Sequence, residues 1–213
     1  MPSTDLLLLF FSASLVFAYI PGPALLYAAA QTVAGGRAAG LMAALGLHIG
    51  GYVHVVAAAA GLSVLFHAVP SLYLAVKLLG AVYLVFLGGR MLLQAFRKKT
   101  AITDSINVSK KSRRRAFVES IAVEVLNPKT AVFFVAFLPQ FVDPAATFPI
   151  WVQFIVLGSI VNVMFSSADL VCVFFAGIVV DKLRQSNRLA KVMEGVGGGV
   201  LIGLGANLAL QRH

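Results

Sequence analysis

Three short stretches of this chain carry residues that can do chemistry, and each is set in apolar sequence. Glu124, Asn127 and Lys129 stand within one run, Ala116–Val142, that is otherwise almost wholly hydrophobic. A carboxylate, an amide and an ammonium so close together offer acceptors for a cationic group and donors for an anionic one. Asp169 ends a second polar patch, Asn162–Val163–Met164–Phe165–Ser166–Ser167–Ala168–Asp169, inside the apolar segment Phe148–Val180. The third stretch is Tyr19–Ile20–Pro21–Gly22–Pro23, between apolar Leu6–Ala18 and apolar Ala24–Ala34. Proline lacks an N–H and clashes with the carbonyl one turn back, so Pro21 and Pro23 are expected to free the carbonyls of Phe17 and Tyr19. Pro128 breaks the second run in the same way. Freed carbonyls accept from an ammonium group. The half-helix beginning after Pro23 offers unpaired N–H groups and the positive end of its dipole to a carboxylate. Tyr27 and Gln31 lie one turn apart on that half-helix and can line a path.

Each of these has a plainer reading that stands beside it. The proline break can be a packing kink without a ligand. Lys129 and Glu124 can simply pair, and Asp169 can serve a structural hydrogen bond. His48 and His54 lie among small residues and are ordinarily satisfied by a backbone carbonyl. Lys77 can snorkel from the end of its segment, and Glu119, just after a basic loop, reads as an interfacial residue.

The surroundings that must position these groups are those of a membrane protein. Of 213 residues, 60% are hydrophobic and 12% charged, and the mean hydropathy is +0.92. A spanning helix needs about 20 apolar residues. Six segments qualify: Leu6–Val33, Leu41–Val69, Leu72–Phe96, Ala116–Val142, Phe148–Val180 and Val192–Leu210. No Lys or Arg precedes the first, only Asp5, so it reads as a retained helix rather than a signal peptide. The net charge of +9 is not a nucleic-acid footprint, because it is concentrated in alternate loops. The connections after segments one, three and five hold thirteen of the seventeen Lys and Arg, eight of them between Arg97 and Arg115. Positive-inside bias then puts that loop in the cytoplasm and both termini outside it.

A shift of 117 residues lays Leu79–Gly88 over Val196–Gly205, with Gly80/Gly197, Leu84/Leu201, Leu87/Leu204 and Gly88/Gly205 coinciding. Three segments in each half require the halves to insert in opposite senses, the inverted-repeat plan of many secondary transporters. The expected fold is an all-α integral membrane protein. Six transmembrane helices form two inverted three-helix repeats, with helices 1 and 4 broken. The chain is one membrane domain, 1–213, with repeat one at 5–96, a basic cytoplasmic loop at 97–115 and repeat two at 116–210.

Pro21–Gly22–Pro23, Gly36–Arg37–Ala38–Ala39–Gly40–Leu41, Lys77–Leu78–Leu79–Gly80–Ala81–Val82–Tyr83–Leu84 and Asn127–Pro128–Lys129 stand in an order and spacing that resembles the LysE/RhtB family of bacterial amino-acid exporters. The resemblance covers nearly the whole chain. It implies a multi-pass protein of the bacterial inner membrane that expels amino acids or close derivatives, driven by the proton gradient. Basic and neutral substrates both occur in that family, so it does not choose between them. Against that activity, Pro21, Gly22, Pro23, Tyr27, Gln31, Glu124, Asn127, Pro128 and Lys129 are the substrate-binding candidates. Asp169, with no cation within a helical turn, is the proton-coupling candidate.

The expected partners are an amino acid, protons and the lipid bilayer, with no nucleic acid; a homo-oligomer is left open. No cofactor or metal is expected. A thiol electron carrier needs paired cysteines and Cys172 is alone. No His-Glu-x-x-His or Gly-x-Ser-x-Gly motif supports a hydrolase. The remaining rival is an exporter of another small metabolite or a cation on the same fold.

Overall fold

The computed structural model describes residues 4–64, 70–96, 111–176 and 187–210. Most of the basic loop, 97–110, lies outside the described residues, as does the side chain of Lys77, so the readings placed on them have no structural counterpart. The described residues form helices joined by short connections, the longest of them at 142–149, and no strand occurs among them. Its elements are α1 (Thr4–Tyr19), α2 (Pro23–Gly35), α3 (Arg37–Ala57, continued by a π turn at Ala58–Leu62), α4 (Pro70–Phe96), α5 (Arg113–Val125), α6 (Pro128–Phe137, continued by a 3₁₀ turn at Leu138–Phe141), α7 (Ile150–Phe174) and α8 (Asn187–Leu210).

The two proline motifs break their segments at the expected places. α1 and α2 meet at 46°, and α5 with α6 through Phe141 at 44°. Pro23 and Pro128 each stand in the first turn of the following half-helix, where a missing N–H costs nothing. At the first break the Phe17 carbonyl, whose partner one turn on would be Pro21, accepts instead from Ile20 N at 3.3 Å, and the carbonyl of Ile20 also stands beyond the end of α1. Gly36 joins α2 to α3 with φ at 79°, a conformation that favours glycine. The helix restarts there at Arg37, four residues before the apolar run.

Counting each bent pair as one crossing, the described residues hold four candidate membrane spans: α1–α2, α3 with its π turn, α5–α6, and α7. α4 and α8, 27 and 24 residues long, have spanning length and pack along each other. Large apolar side chains face outward on most helices, Leu8 and Phe11 on α1, Val82 and Phe86 on α4, Val163 and Phe174 on α7. An outer surface so apolar suits lipid rather than water.

Two buried clusters lie inside. The larger joins Phe10 and Phe17 of α1 to Phe133 and Phe137 of α6, Phe141, and Phe154 of α7, with Phe17 and Phe133 stacked at 4.2 Å and Phe133 and Phe137 at 4.3 Å. The smaller holds Ala28, Ala44, Leu47 and Val173.

Glycines let the helices approach at backbone distance, as lipid-embedded packing requires. A Cβ on Gly46 would run into Phe117 O and Ser120 of α5, and one on Gly51 into Asn162 of α7. Between α4 and α8 the contacts come in related pairs. A Cβ on Gly88 would meet Gly198 O at 2.5 Å and Ile202 Cγ1 at 2.8 Å; one on Gly205 would meet Ala81 O at 2.7 Å and Val85 Cγ2 at 2.8 Å. Moving each residue by 117 positions, forward on α4 and back on α8, turns the first set of contacts into the second.

This packing separates two neighbouring glycines. Gly88→Ala is expected to lower the free energy of unfolding in mixed micelles by about 1–3 kcal/mol through overpacking. Gly89→Ala, whose Cβ meets nothing within 4 Å, should leave it unchanged or raise it by up to about 1 kcal/mol through helix propensity. Equal effects in denaturant titrations would contradict the close approach.

Candidate functional site

The two breaks, more than a hundred residues apart in sequence, meet. Lys129, in the first turn of α6, reaches across to the end of α1, where its Nζ donates to Phe17 O at 2.9 Å and to Ile20 O at 2.6 Å. The ammonium also lies 4.5 Å from the centre of the Phe17 ring. Carbonyls orphaned by one proline break are thus satisfied by a cation from the other. Lys129 does not pair with Glu124: among the described residues the ion pairs are those of Glu119 with Lys111 and Arg115.

The turn before α6 is held by its own polar side chains. Asn127 caps the half-helix, its Oδ1 accepting from Lys129 N at 3.1 Å. Its Nδ2 donates to Glu124 Oε2 at 3.1 Å and to Thr130 Oγ1 at 3.0 Å. Glu124, Asn127 and Thr130 are all buried. His54 of α3 bonds Glu124 O through Nε2 at 2.8 Å, which is the plain backbone role expected of it. The α2 break is different. Its N-cap is Gly22, which offers no side-chain bond, and the first backbone amide to close a helical bond is that of Leu26, to Gly22 O at 3.0 Å. The N–H groups of Ala24 and Leu25 therefore stay open.

A cavity of about 30 Å³ lies where these parts converge, room for a water or two. Its polar walls are Gly22 with the open end of α2, Glu124, Asn127, Lys129 and Thr130 from the second break, and Asn162, Ser166 and Asp169 from α7. Ala18, Ala24, Leu25, Leu47 and Phe165 form the apolar wall. Asp169, 7% exposed, lines this space. On α7, Ser166 Oγ donates to Asn162 O at 2.9 Å and lies 2.6 Å from His48 Nδ1, while Asn162 Nδ2 donates to His48 O at 3.0 Å.

Of the residues singled out in the sequence, Gly22, Glu124, Asn127, Lys129 and Asp169 line one cavity. Pro21, Pro23 and Pro128 shape the breaks without lining it. Tyr27 and Gln31 lie elsewhere: Tyr27 donates to Glu119 Oε2 at 3.1 Å, and Gln31 is fully buried. Asn162 and Ser166, which the sequence shows only as part of the polar patch ending at Asp169, and Thr130 also line the cavity without having been counted among the site candidates. A signal for two of them was present, since 162, 166 and 169 follow the four-then-three spacing of one helix face.

A family model described as LysE type translocator matches residues 15–212. The chain is 32% identical to an uncharacterized membrane protein of Pseudomonas aeruginosa, over 89% of this chain and 88% of that protein. It is 32% identical to the leucine efflux protein of Enterobacter sp. (strain 638) and 30% identical to that of Klebsiella pneumoniae, each again over 89% of this chain and 88% of the relative. No solved structure matches the chain.

Lys129→Met removes the donor shared by Phe17 O and Ile20 O. Phe17 O keeps its bond from Ile20 N, so the loss falls on Ile20 O, and one buried acceptor left unmet is expected to cost about 1–3 kcal/mol of stability. Asn162→Ala, on the far wall of the cavity, should cost less than Lys129→Met. Thermal unfolding of the purified variants in detergent checks the order, and a Lys129→Met melt equal to wild type would remove the bridge from the account.

Proposed function

The chain belongs to the LysE type translocator family, and from that membership we propose that it exports a neutral amino acid with an aliphatic side chain, in exchange for protons. It is an all-α, multi-pass membrane transporter rather than an enzyme. The observation that carries the substrate reading is the pairing of an uncapped helix N-terminus with buried carboxylates across one cavity. The open N–H groups of Ala24 and Leu25, at the positive end of the α2 dipole, suit an α-carboxylate. Glu124, held in place by Asn127, accepts from the α-ammonium. Ala18, Leu25, Leu47 and Phe165 offer the side chain an apolar wall with no fixed charge. The relatives named as leucine efflux proteins point the same way.

Lys129 enters this scheme as a support rather than a ligand, because its ammonium is taken by two carbonyls. Asp169 carries the proton. It is the cavity's carboxylate that has no hydrogen bond from the described residues, which leaves it free to change charge without dismantling a network. The whole is one domain, 1–213, of six crossings in two inverted repeats, 5–96 and 116–210. The near-equal bends of the two breaks and the interchangeable α4–α8 contacts support that reading. The basic loop 97–115 faces the cytoplasm and both termini the periplasm of a bacterial inner membrane. The cation count supports that orientation.

Inside-out vesicles should accumulate labelled leucine when an interior-acid gradient is imposed, and lose the uptake when the gradient is collapsed. Uptake of labelled lysine in preference to leucine would overturn the neutral-substrate reading. Asp169→Asn should abolish gradient-driven uptake yet keep leucine–leucine exchange, because the amide preserves the shape and loses the titration. Uphill uptake by Asp169→Asn liposomes would move the proton to Glu124.

Orientation is checked separately with Thr103→Cys, in the loop outside the described residues, against a Cys172→Ala background. Protection from an impermeant thiol reagent in spheroplasts is expected, and ready labelling would reverse the topology.

A further inference from the structure

The cavity leaves two polar residues of α2 without a role. Ala24, Tyr27, Ala28 and Gln31 stand at i, i+3, i+4 and i+7, so they share one face of the helix. That face begins in the cavity, which Ala24 lines. Four residues of helix then carry Gln31 about 6 Å beyond Tyr27, toward the basic end where α3 starts at Arg37 and α5 at Arg113. Gln31 is 0% exposed, and neither its Oε1 nor its Nε2 has a hydrogen-bond partner. A buried amide with donor and acceptor both unmet is costly, and such a group calls for a reason.

Beside it stands a closure built from four side chains. Tyr27 Oη donates to Glu119 Oε2 of α5 at 3.1 Å. Glu119 is held in turn by Lys111 and by Arg115, whose Nε donates to Oε1 at 2.7 Å. The Lys111 ammonium lies 5.6 Å from the centre of the Tyr27 ring. Both cations belong to the α5 end, Arg115 one turn before Glu119. If Tyr27 lets go, the carboxylate keeps its counter-charges, so opening strands no ion. Next to this latch is the small cluster of Ala28, Ala44, Leu47 and Val173, in which Ala28 follows Tyr27 on α2 and Leu47 lines the cavity.

We propose that Gln31 is a second substrate subsite at the cytoplasmic mouth, specific for the α-amino-acid zwitterion, and that the Tyr27–Glu119 hydrogen bond is the latch that shuts it. The inference rests on the export reading above. A carboxamide donates through its NH₂ to a carboxylate and accepts through its oxygen from an ammonium. A zwitterion satisfies both halves, whereas a simple cation or anion satisfies one. In the latched conformation the amide is sealed and unpaired; with the latch released it meets water or substrate, and its unmet bonds favour opening.

Two experiments on the full chain test this. In inside-out vesicles of a Gln31→Cys, Cys172→Ala protein, an impermeant maleimide should label position 31 several-fold faster when Tyr27→Phe is added. Equal rates would overturn the latch. Gln31→Leu should raise the melting temperature, because a buried unmet amide is gone, while raising the KM for labelled leucine on the order of tenfold. Gln31→Asn should recover part of that affinity. A Gln31→Leu transporter with wild-type KM would overturn the subsite. If wild-type vesicles take up no amino acid, the export reading falls, while the labelling contrast still decides the latch.

Discussion

The bridge from Lys129 to Phe17 O and Ile20 O is the contact on which the rest of the interior depends. In hydrocarbon an unpaired carbonyl costs several kcal/mol, and an unpaired ammonium costs more. Each break supplies what the other lacks. The bridge also explains why Gly22 has no side chain, since a Cβ there would lie 2.8 Å from Lys129 Cδ. The same turn that aims Lys129 sets Asn127 as cap and brings Glu124 to the cavity. Remove the cation and α1 and α6 keep their stacked rings but lose the polar contact between the two breaks.

The two apolar clusters flanking the cavity are unequal. On the side of α1's start and α6's end, large aromatic rings are stacked on one another: Phe10 on Phe137, Phe17 on Phe133, and Phe133 on Phe137. Toward the basic end the barrier is made of Ala28, Ala44, Leu47 and Val173, backed by the Tyr27–Glu119 bond. Separating aromatic stacks exposes far more surface than separating alanines. The thin barrier is therefore the easier one to open from this conformation.

The sequence made the breaks legible because proline chemistry is local: a missing N–H acts on the residues one turn away, wherever the chain goes next. It also exposed Glu124, Asn127 and Asp169, since polar groups stand out against apolar runs. What it could not reveal is which distant group answers which. Lys129 looked like a ligand for a carboxylate or a partner for Glu124, and only the meeting of residues 17–20 with residue 129 shows the carbonyls claiming it. Tyr27 and Gln31 were legible as polar residues on a half-helix. Their distance from the cavity was not, because it depends on how α2 rests against α5. Asn162 and Ser166 were visible in the polar patch that ends at Asp169, but only their spacing around the helix puts them on its face.

The α4–α8 seam has the form of an isologous interface, the self-complementary contact of a symmetric dimer, but within one chain. In a true dimer every substitution falls on both sides of the axis at once. Here the two copies of each contact are encoded separately and can drift apart. They differ in detail: 117 positions from Gly198 stands Ala81, and 117 positions from Ile202 stands Val85, so α4 carries a methyl more at the one place and a methyl fewer at the other. Related contacts encoded separately within one chain can thus specialise, one relaxing while its counterpart tightens, a freedom that two identical chains never have.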